Sequence, residues 1–227
     1  AAWADDLRGT GDLGLIVERE AGSLLVVDRG ERAAIGRIEG LGDLSHASLV
    51  YSPDERFAYV FGRDGGLTKV DILTRTIVKR VVQGGNSIGG AISDDGRLVA
   101  VSNYEPGGVK VFDAETLDLV ADVPMGSKTV GIADVPGSRF AVATWDTGEV
   151  WVLDHSADPT NPVITKLTGI GANPYDALLT GDAAEVGRYL EQGAAVRVLA
   201  TLSERRLPGR WAQVPTAKEQ GVDIQWP

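Results

Sequence analysis

Two histidines and no cysteine set the metal and nucleophile chemistry open to this 227-residue chain. Without thiols there can be no disulfide, thiolate nucleophile, cysteine-held zinc or covalent c-type haem. Imidazole remains, a good iron ligand when neutral and a proton carrier near neutral pH. His46 lies in the stretch GDLSHAS (42–48), and His155 follows Asp154 in VLDHSADP (152–159). They lack the His-x3-His spacing of a local metal site. His155 reads as a solvated residue in an outer hairpin turn, whereas the role of His46 depends on where the fold puts its loop. Other motifs are weak. GDLG and GLGDL lack the strand–GxGxxG–helix context of a dinucleotide fold, GGNSIGGAIS lacks the Lys-Ser/Thr of a phosphate loop, and no nucleophile elbow or calcium loop is expected.

Composition narrows the class. Hydrophobic residues make up 43% and charged residues 24%, ordinary for a globular chain of one or two domains. No apolar run reaches the roughly 18 residues of a membrane span. The net charge of −10 argues against nucleic acid, which is bound through clustered Lys and Arg. The opening AAWADDLRGTGD has neither the charged nor the apolar region of a signal peptide, and its small first residues fit a secretory precursor already cleaved.

The elements that would position His46 come from a repeat. GSLLVVDRGERAAIGRI, GGLTKVDILTRTIVKRV, GGVKVFDAETLDLVADV and GEVWVLDHSADPTNPVI each read as Gly, an alternating strand, an aspartate, a turn and a second strand. Asp28, Asp71, Asp113 and Asp154 recur at intervals of 43, 42 and 41 residues, and Arg56, Arg97 and Arg139 at 41 and 42. A 40–45-residue all-β unit is the signature of a propeller blade. Four units fit between about Leu13 and Leu179. The aspartates recur once per unit, as turn acceptors would and a unique site would not.

After residue 181 the pattern changes. AAEVGRYLEQGAA has helical spacing, VRVLATL reads as a buried strand, ERRLPGRWAQVP as a loop, TAKEQGV as a short helix capped by Thr216, and DIQWP as an edge. The expected division is a partial propeller over 1–181 and an α/β tail over 182–227, the tail too short to build a good core alone.

Four stretches, LRGTGDLGLIVERE, GDLSHASLVYSPDERFAYVFGRDGGLTKVDILT, GGNSIGGAISDDGRLVAVSNYEPGGVKVFDAETLDLVADVP and GIGANPYDALLTGD, carry a resemblance across residues 7–182. They resemble the NirF family, periplasmic propellers required for haem d1 biosynthesis, and more distantly the haem d1 domain of dissimilatory nitrite reductase. The resemblance implies an eight-bladed all-β fold of which about four blades are present. It also implies haem d1 or a precursor tetrapyrrole as cofactor, a periplasmic location, and nitrite reductase and other haem d1 maturation proteins as partners. The tail VRVLATLSERRLPGRWAQVPTAKEQGVDIQWP is similar to the C-terminal part of tripartite tricarboxylate transporter solute-binding proteins, which implies a different origin and transfers no binding role.

By this resemblance His46 matches the ligand of the haem iron and is the candidate metal-binding and catalytic residue. Arg63, Lys69, Asn86, Ser87, Tyr104 and Lys128 become candidates to bind the cofactor's carboxylates and edges from loops of successive blades. Tyr175, a further cofactor-binding candidate, and Asp176 match the region that supplies the reductase's distal histidine. Asp176, the second catalytic candidate, puts an acid there, a departure that argues against nitrite reduction and fits a maturation role. Each residue also has a plain structural reading, as a hairpin ion pair, an inter-blade contact or a turn acceptor. Three readings of the whole stay open: a carrier or side-chain-modifying enzyme of haem d1 biosynthesis, a cofactor-free propeller surface, and a truncated or recombined product. Two half-rings could also close one ring as a homodimer.

Overall fold

The computed structural model of the chain describes residues 10–177, 183–193 and 198–222. Among the described residues fifteen strands form four antiparallel sheets in chain order. The first sheet has three strands, β1 (Leu13–Glu18), β2 (Ser23–Asp28) and β3 (Ala33–Ile38). The second has β4 (Ser48–Tyr51), β5 (Phe57–Phe61), β6 (Gly66–Asp71) and β7 (Thr76–Val82). The third has β8 (Gly85–Ile92), β9 (Leu98–Glu105), β10 (Val109–Asp113) and β11 (Leu119–Val123). The fourth has β12 (Thr129–Val135), β13 (Arg139–Thr144), β14 (Glu149–Asp154) and β15 (Val163–Leu167). The first strands of the last three sheets are neighbours, β8 lying beside both β4 and β12. The arrangement is a partial β-propeller. The sequence repeat marks three strands per unit; the fourth is this innermost strand, whose glycines and short side chains alternate weakly.

Alternating side chains decide the stacking, because successive residues of a strand point to opposite faces. Leu24 and Val26 of the first blade meet Ala58, Val60 and Val70 of the second. Tyr59, Phe61 and Leu67, on the other face of the second blade, meet Val99, Val101 and Phe112 of the third. Ala100, Val109 and Val111 then meet Phe140, Val142, Trp151 and Leu153 of the fourth. At Gly90 in β8 a Cβ would overlap the ring of Phe61, so glycine lets the second and third blades approach.

The repeat aspartates act in their turns as expected. Asp71 Oδ1 accepts the N–H groups of Leu73 (3.0 Å) and Thr74 (3.1 Å), Asp113 Oδ1 those of Glu115 and Thr116, Asp154 Oδ1 that of Ser156 and Asp28 Oδ1 that of Glu31. Two repeat arginines pair with the aspartate fifteen positions on, Arg56 with Asp71 and Arg139 with Asp154. His155 is not the solvated residue its turn suggested: it is 1% exposed. Its Nδ1 is 2.8 Å from the Pro159 carbonyl and its ring meets Phe140 edge-on. The position after the repeat aspartate is buried in the second and third blades too, as Ile72 and Ala114, so the blade architecture buries the imidazole. Burial holds the His155 pKa below its usual value.

The tail covers the last blade. α1 spans Ala183–Glu191. Residues 198–200 form no strand, in contrast to the buried strand expected there; Thr201 makes only a single parallel bridge with Thr216. Ala200 and Leu202 instead pack with Ala217 and Val222 against Val135, Ala141, Val152 and Leu167, on the face of the fourth blade turned away from the third. The short helix is the 3-10 turn Lys218–Gln220. Thr216 Oγ1 accepts the Glu219 N–H (3.1 Å) while the Glu219 carboxylate accepts the Thr216 N–H (2.8 Å), a reciprocal capping box. The expected edge at DIQWP lies outside the described residues. Among the described residues no helix is long and apolar enough to cross a membrane.

Two predictions follow from this packing. Ala217→Glu places a charge in the apolar contact between tail and fourth blade and should cost about 2–3 kcal/mol, read as a lower urea midpoint. Asp134 of β12 has a buried oxygen with no hydrogen-bond partner among the described residues. Burial first, then the nearby Asp94, raises its pKa from 3.8 to about 6. The folded state thus binds this proton more tightly than the unfolded chain, so its contribution is present in acid and lost as pH rises through about 6. Asp134→Asn should stabilise the protein by about 1–2 kcal/mol at pH 7 and flatten that fall, as urea titrations at several pH values will read.

Candidate functional site

The innermost strands wall a cleft of about 200 Å³ lined by His46, Ser48, Leu49, Ile88, Gly89, Gly90, Val130, Gly131, Ile132, Tyr175 and Asp176. Its shape has a local cause. The β8–β9 register shifts between Ser87 and Gly89, and the β12–β13 register between Thr129 and Ile132. Ile88, Val130 and Gly131 therefore sit at bulges, which interrupt the ladder and redirect backbone groups. Ser102 Oγ donates to the carbonyls of Gly89 (3.1 Å) and Val130 (2.8 Å), tying β8 to β12. With three glycines in the lining, much of the wall is bare backbone.

His46 precedes β4 by two residues, on a loop held from several sides. Leu41 and Leu44 are each 1% exposed and anchor it in the core between the first two blades. The Asp43 carboxylate accepts the Ser45 N–H at 2.9 Å, and the Asp43 carbonyl accepts the Arg63 N–H at 2.8 Å. Hydrogen bonding from Ser45 holds the Asp43 pKa below its usual range. Arg80 reaches the Leu41 carbonyl (3.3 Å) and pairs with Asp64 (2.5 Å), whose other oxygen accepts the Gly66 N–H. His46 is left exposed at the cleft.

Tyr175 and Asp176 reach the same cleft from the segment after β15. Gly131 N–H donates to the Tyr175 carbonyl at 2.8 Å, the Tyr175 ring meets Trp145 edge-on at 6.0 Å, and Asn173 Nδ2 donates to the Trp145 carbonyl at 3.2 Å. The structure thus brings His46, from between the first and second blades, together with Tyr175 and Asp176, from beyond the fourth.

The remaining candidates lie elsewhere. Arg63 is exposed on the β5–β6 turn, at the His46 end of the blades, and its carbonyl accepts the Asn86 N–H at 2.9 Å. Asn86 has φ 57° at the start of β8. Lys128 stands over the Tyr104 ring at 5.3 Å, with Asp146 3.7 Å from its ammonium, between the third and fourth blades. Ser87 is fully buried and accepts a hydrogen bond from Gln83, which also bonds Asn103. The letters GNSIG around it match the nucleophile-elbow pattern, but Ser87 sits within a strand and not at the strand-to-helix turn that makes such a serine reactive. Lys69 is 6% exposed in β6 and donates to the carbonyls of Ala114 (3.0 Å) and Glu115 (3.3 Å) beneath the third blade. Four residues along a strand move about 13 Å, which carries Lys69 from the Gly65 turn towards the other end of the blade. Burial lowers its pKa. Sequence reasoning missed the Asp64–Arg80 pair beneath the His46 loop; the chain offered no local signal, because the two are neighbours only across a hairpin.

Residues 8–218 match the Cytochrome D1 heme domain family. The chain is 60% identical over 195 residues to Protein NirF of Stutzerimonas stutzeri, covering 82% of this chain and 49% of that protein. It is 56% identical over 195 residues to Protein NirF of Pseudomonas aeruginosa, covering 82% and 48%. The chain therefore spans about half the length of the curated relatives it matches. Among solved structures, dihydro-heme d1 dehydrogenase NirN in complex with DHE superposes with a TM-score of 0.64 at 28% identity, over 72% of this chain and 37% of that one.

Asp64→Ala should speed amide exchange at Asp43 and Gly66 while lowering global stability by no more than about 1 kcal/mol, because the pair is partly exposed; exchange measured residue by residue, beside a urea titration, checks both.

Proposed function

The chain belongs to the Cytochrome D1 heme domain family, and from that premise we propose that it binds haem d1 or a precursor tetrapyrrole during haem d1 biosynthesis, with His46 as the iron ligand. One observation carries the reading: an exposed imidazole shares a glycine-walled cleft with a tyrosine and a carboxylate.

The residues present fit such a group. Among the described residues no cluster of three or more His, Asp or Glu could hold a bare ion, but a macrocycle brings its own equatorial nitrogens and asks the protein for an axial one. A planar ring also needs a wall to lie along, and the backbone of Gly89, Gly90 and Gly131 lines one side of the cleft. At about 200 Å³ the cleft is smaller than the roughly 300–1,000 Å³ of whole ligand pockets, so it takes the part of the ring nearest His46. The tetrapyrrole, when bound, supplies a redox-active iron and a conjugated ring bearing substituents. The chain's own residues bind, orient and exchange protons. His46 offers its ring nitrogen from a loop that Leu41, Leu44 and the Asp64–Arg80 pair hold in place. Asp176 offers a carboxylate that can take up or release a proton at the cleft wall, and Tyr175 a phenol beside it. Arg63 presents a guanidinium at the same end of the blades, suited to a ligand carboxylate.

An aspartate in the place that the resemblance gives to the reductase's distal histidine supports maturation of the cofactor over nitrite reduction. The setting that goes with this reading is the periplasm, with nitrite reductase and other maturation proteins as partners.

Titrating the purified chain with ferric haem d1, and with ferric haem b as a comparison ring, tests the proposal. We expect a Soret shift on uptake of haem d1 that His46→Ala abolishes or weakens at least about tenfold, the order of a lost axial bond worth 1.4 kcal/mol or more. No shift in the wild-type chain, or one unchanged by His46→Ala, would make this a cofactor-free surface.

A further inference from the structure

We propose that Gly131 is a positioning residue for the site, seating the Tyr175–Asp176 segment against the inner strand so that the carboxylate becomes part of the cleft wall. This rests on the tetrapyrrole reading and names a residue on which that reading depends.

The bulge in β12 is the first condition. Thr129 pairs with Thr144 and Ile132 with Val142, leaving Val130 and Gly131 together opposite Ala143. The Gly131 N–H is thereby turned out of the ladder to β13 and donates to the Tyr175 carbonyl at 2.8 Å. Space is the second condition. A Cβ at position 131 would overlap both the Cα and the carboxylate of Asp176. The overlap includes main chain, so a rotamer change at Asp176 cannot relieve it, and any side chain at 131 must push the segment off the strand. The third support is Trp145, whose ring meets that of Tyr175 edge to face and whose carbonyl accepts a hydrogen bond from Asn173. Gly131 and Trp145 thus both hold the segment, and Asp176 directly follows Tyr175. No regular secondary structure holds residues 174–177, so these contacts set their place.

A displaced Asp176 should behave like a missing one. We expect Gly131→Ala to weaken ferric haem d1 binding by on the order of ten- to a hundredfold, the scale of an ångström-level misplacement, and to speed amide exchange at Tyr175–Ala177. Asp176→Asn should weaken binding similarly, and the double variant should be no weaker than the worse single, since the two changes remove the same contribution. A merely destabilising glycine substitution would add to Asp176→Asn instead. Trp145→Leu loosens the segment from outside the cleft and should give the same exchange and the same non-additivity, which decides the matter should Gly131→Ala not fold. Additive losses, or unchanged exchange at 175–177, would overturn the proposal. A wild-type chain that leaves haem d1 free would overturn the functional reading and the role built on it, whereas exchange would still report whether Gly131 seats the segment.

Discussion

Face-to-face stacking of sheets is the constraint on which the rest of this molecule depends. A twisted four-stranded sheet with apolar side chains on both faces cannot leave either face in water, so each blade needs a neighbour on each side. The alternation along the strands supplies it: Val60 looks towards the first blade and Phe61 towards the third. Stacking around a common line crowds the innermost strands, and crowding selects their composition. Glycine replaces larger residues in β8 where Phe61 presses in, and the bulges of β8 and β12 absorb the mismatch in register.

The candidate site is a by-product of that crowding. Where inner strands bulge, backbone donors turn away from their ladder and the wall loses its side chains. The candidate side chains then reach the cleft on irregular segments, His46 from the 40–47 loop and Tyr175 and Asp176 from residues 170–177. Both are fastened to regular structure by a few specific bonds. The His46 loop is held by two buried leucines and by charges from the adjacent hairpin, and the Asp176 segment by a backbone hydrogen bond and an aromatic edge. Rigid blades thus lend precision to loops that have little structure of their own.

Much of this was legible in the sequence, and the divide follows range. Asp71 and Asp113 were readable as turn acceptors because their partners lie two and three residues ahead. The blades were readable because their period repeats, and the place of the His46 loop because it leads into a blade; the role of His46 is a proposal. What sequence could not give was the direction of single side chains across blade interfaces. Lys69 looked like a rim cation and instead satisfies carbonyls under the next blade. Ser87 begins an inner strand yet turns into a buried amide network. His155 occupies a turn by sequence and a core position by structure, visible only once Ile72 and Ala114 are seen buried at the equivalent places. The resting place of the tail had no local signal at all.

That tail has a consequence for how stability is distributed. Within a blade every contact is a hairpin contact, local in the chain, and between blades the separation is about one repeat. Residues 200–222, by comparison, reach back across the fourth blade to Val135. Such a molecule behaves less like one cooperative block than like coupled units in a row, in which each unit draws stability from its own fold and its nearest neighbours. The tail acts on the fourth blade as a neighbour would, at the cost of a longer loop closure. Its influence should therefore fade with distance along the row, strongest at β12–β15, weaker at the third blade, and least at the His46 loop between the first and second.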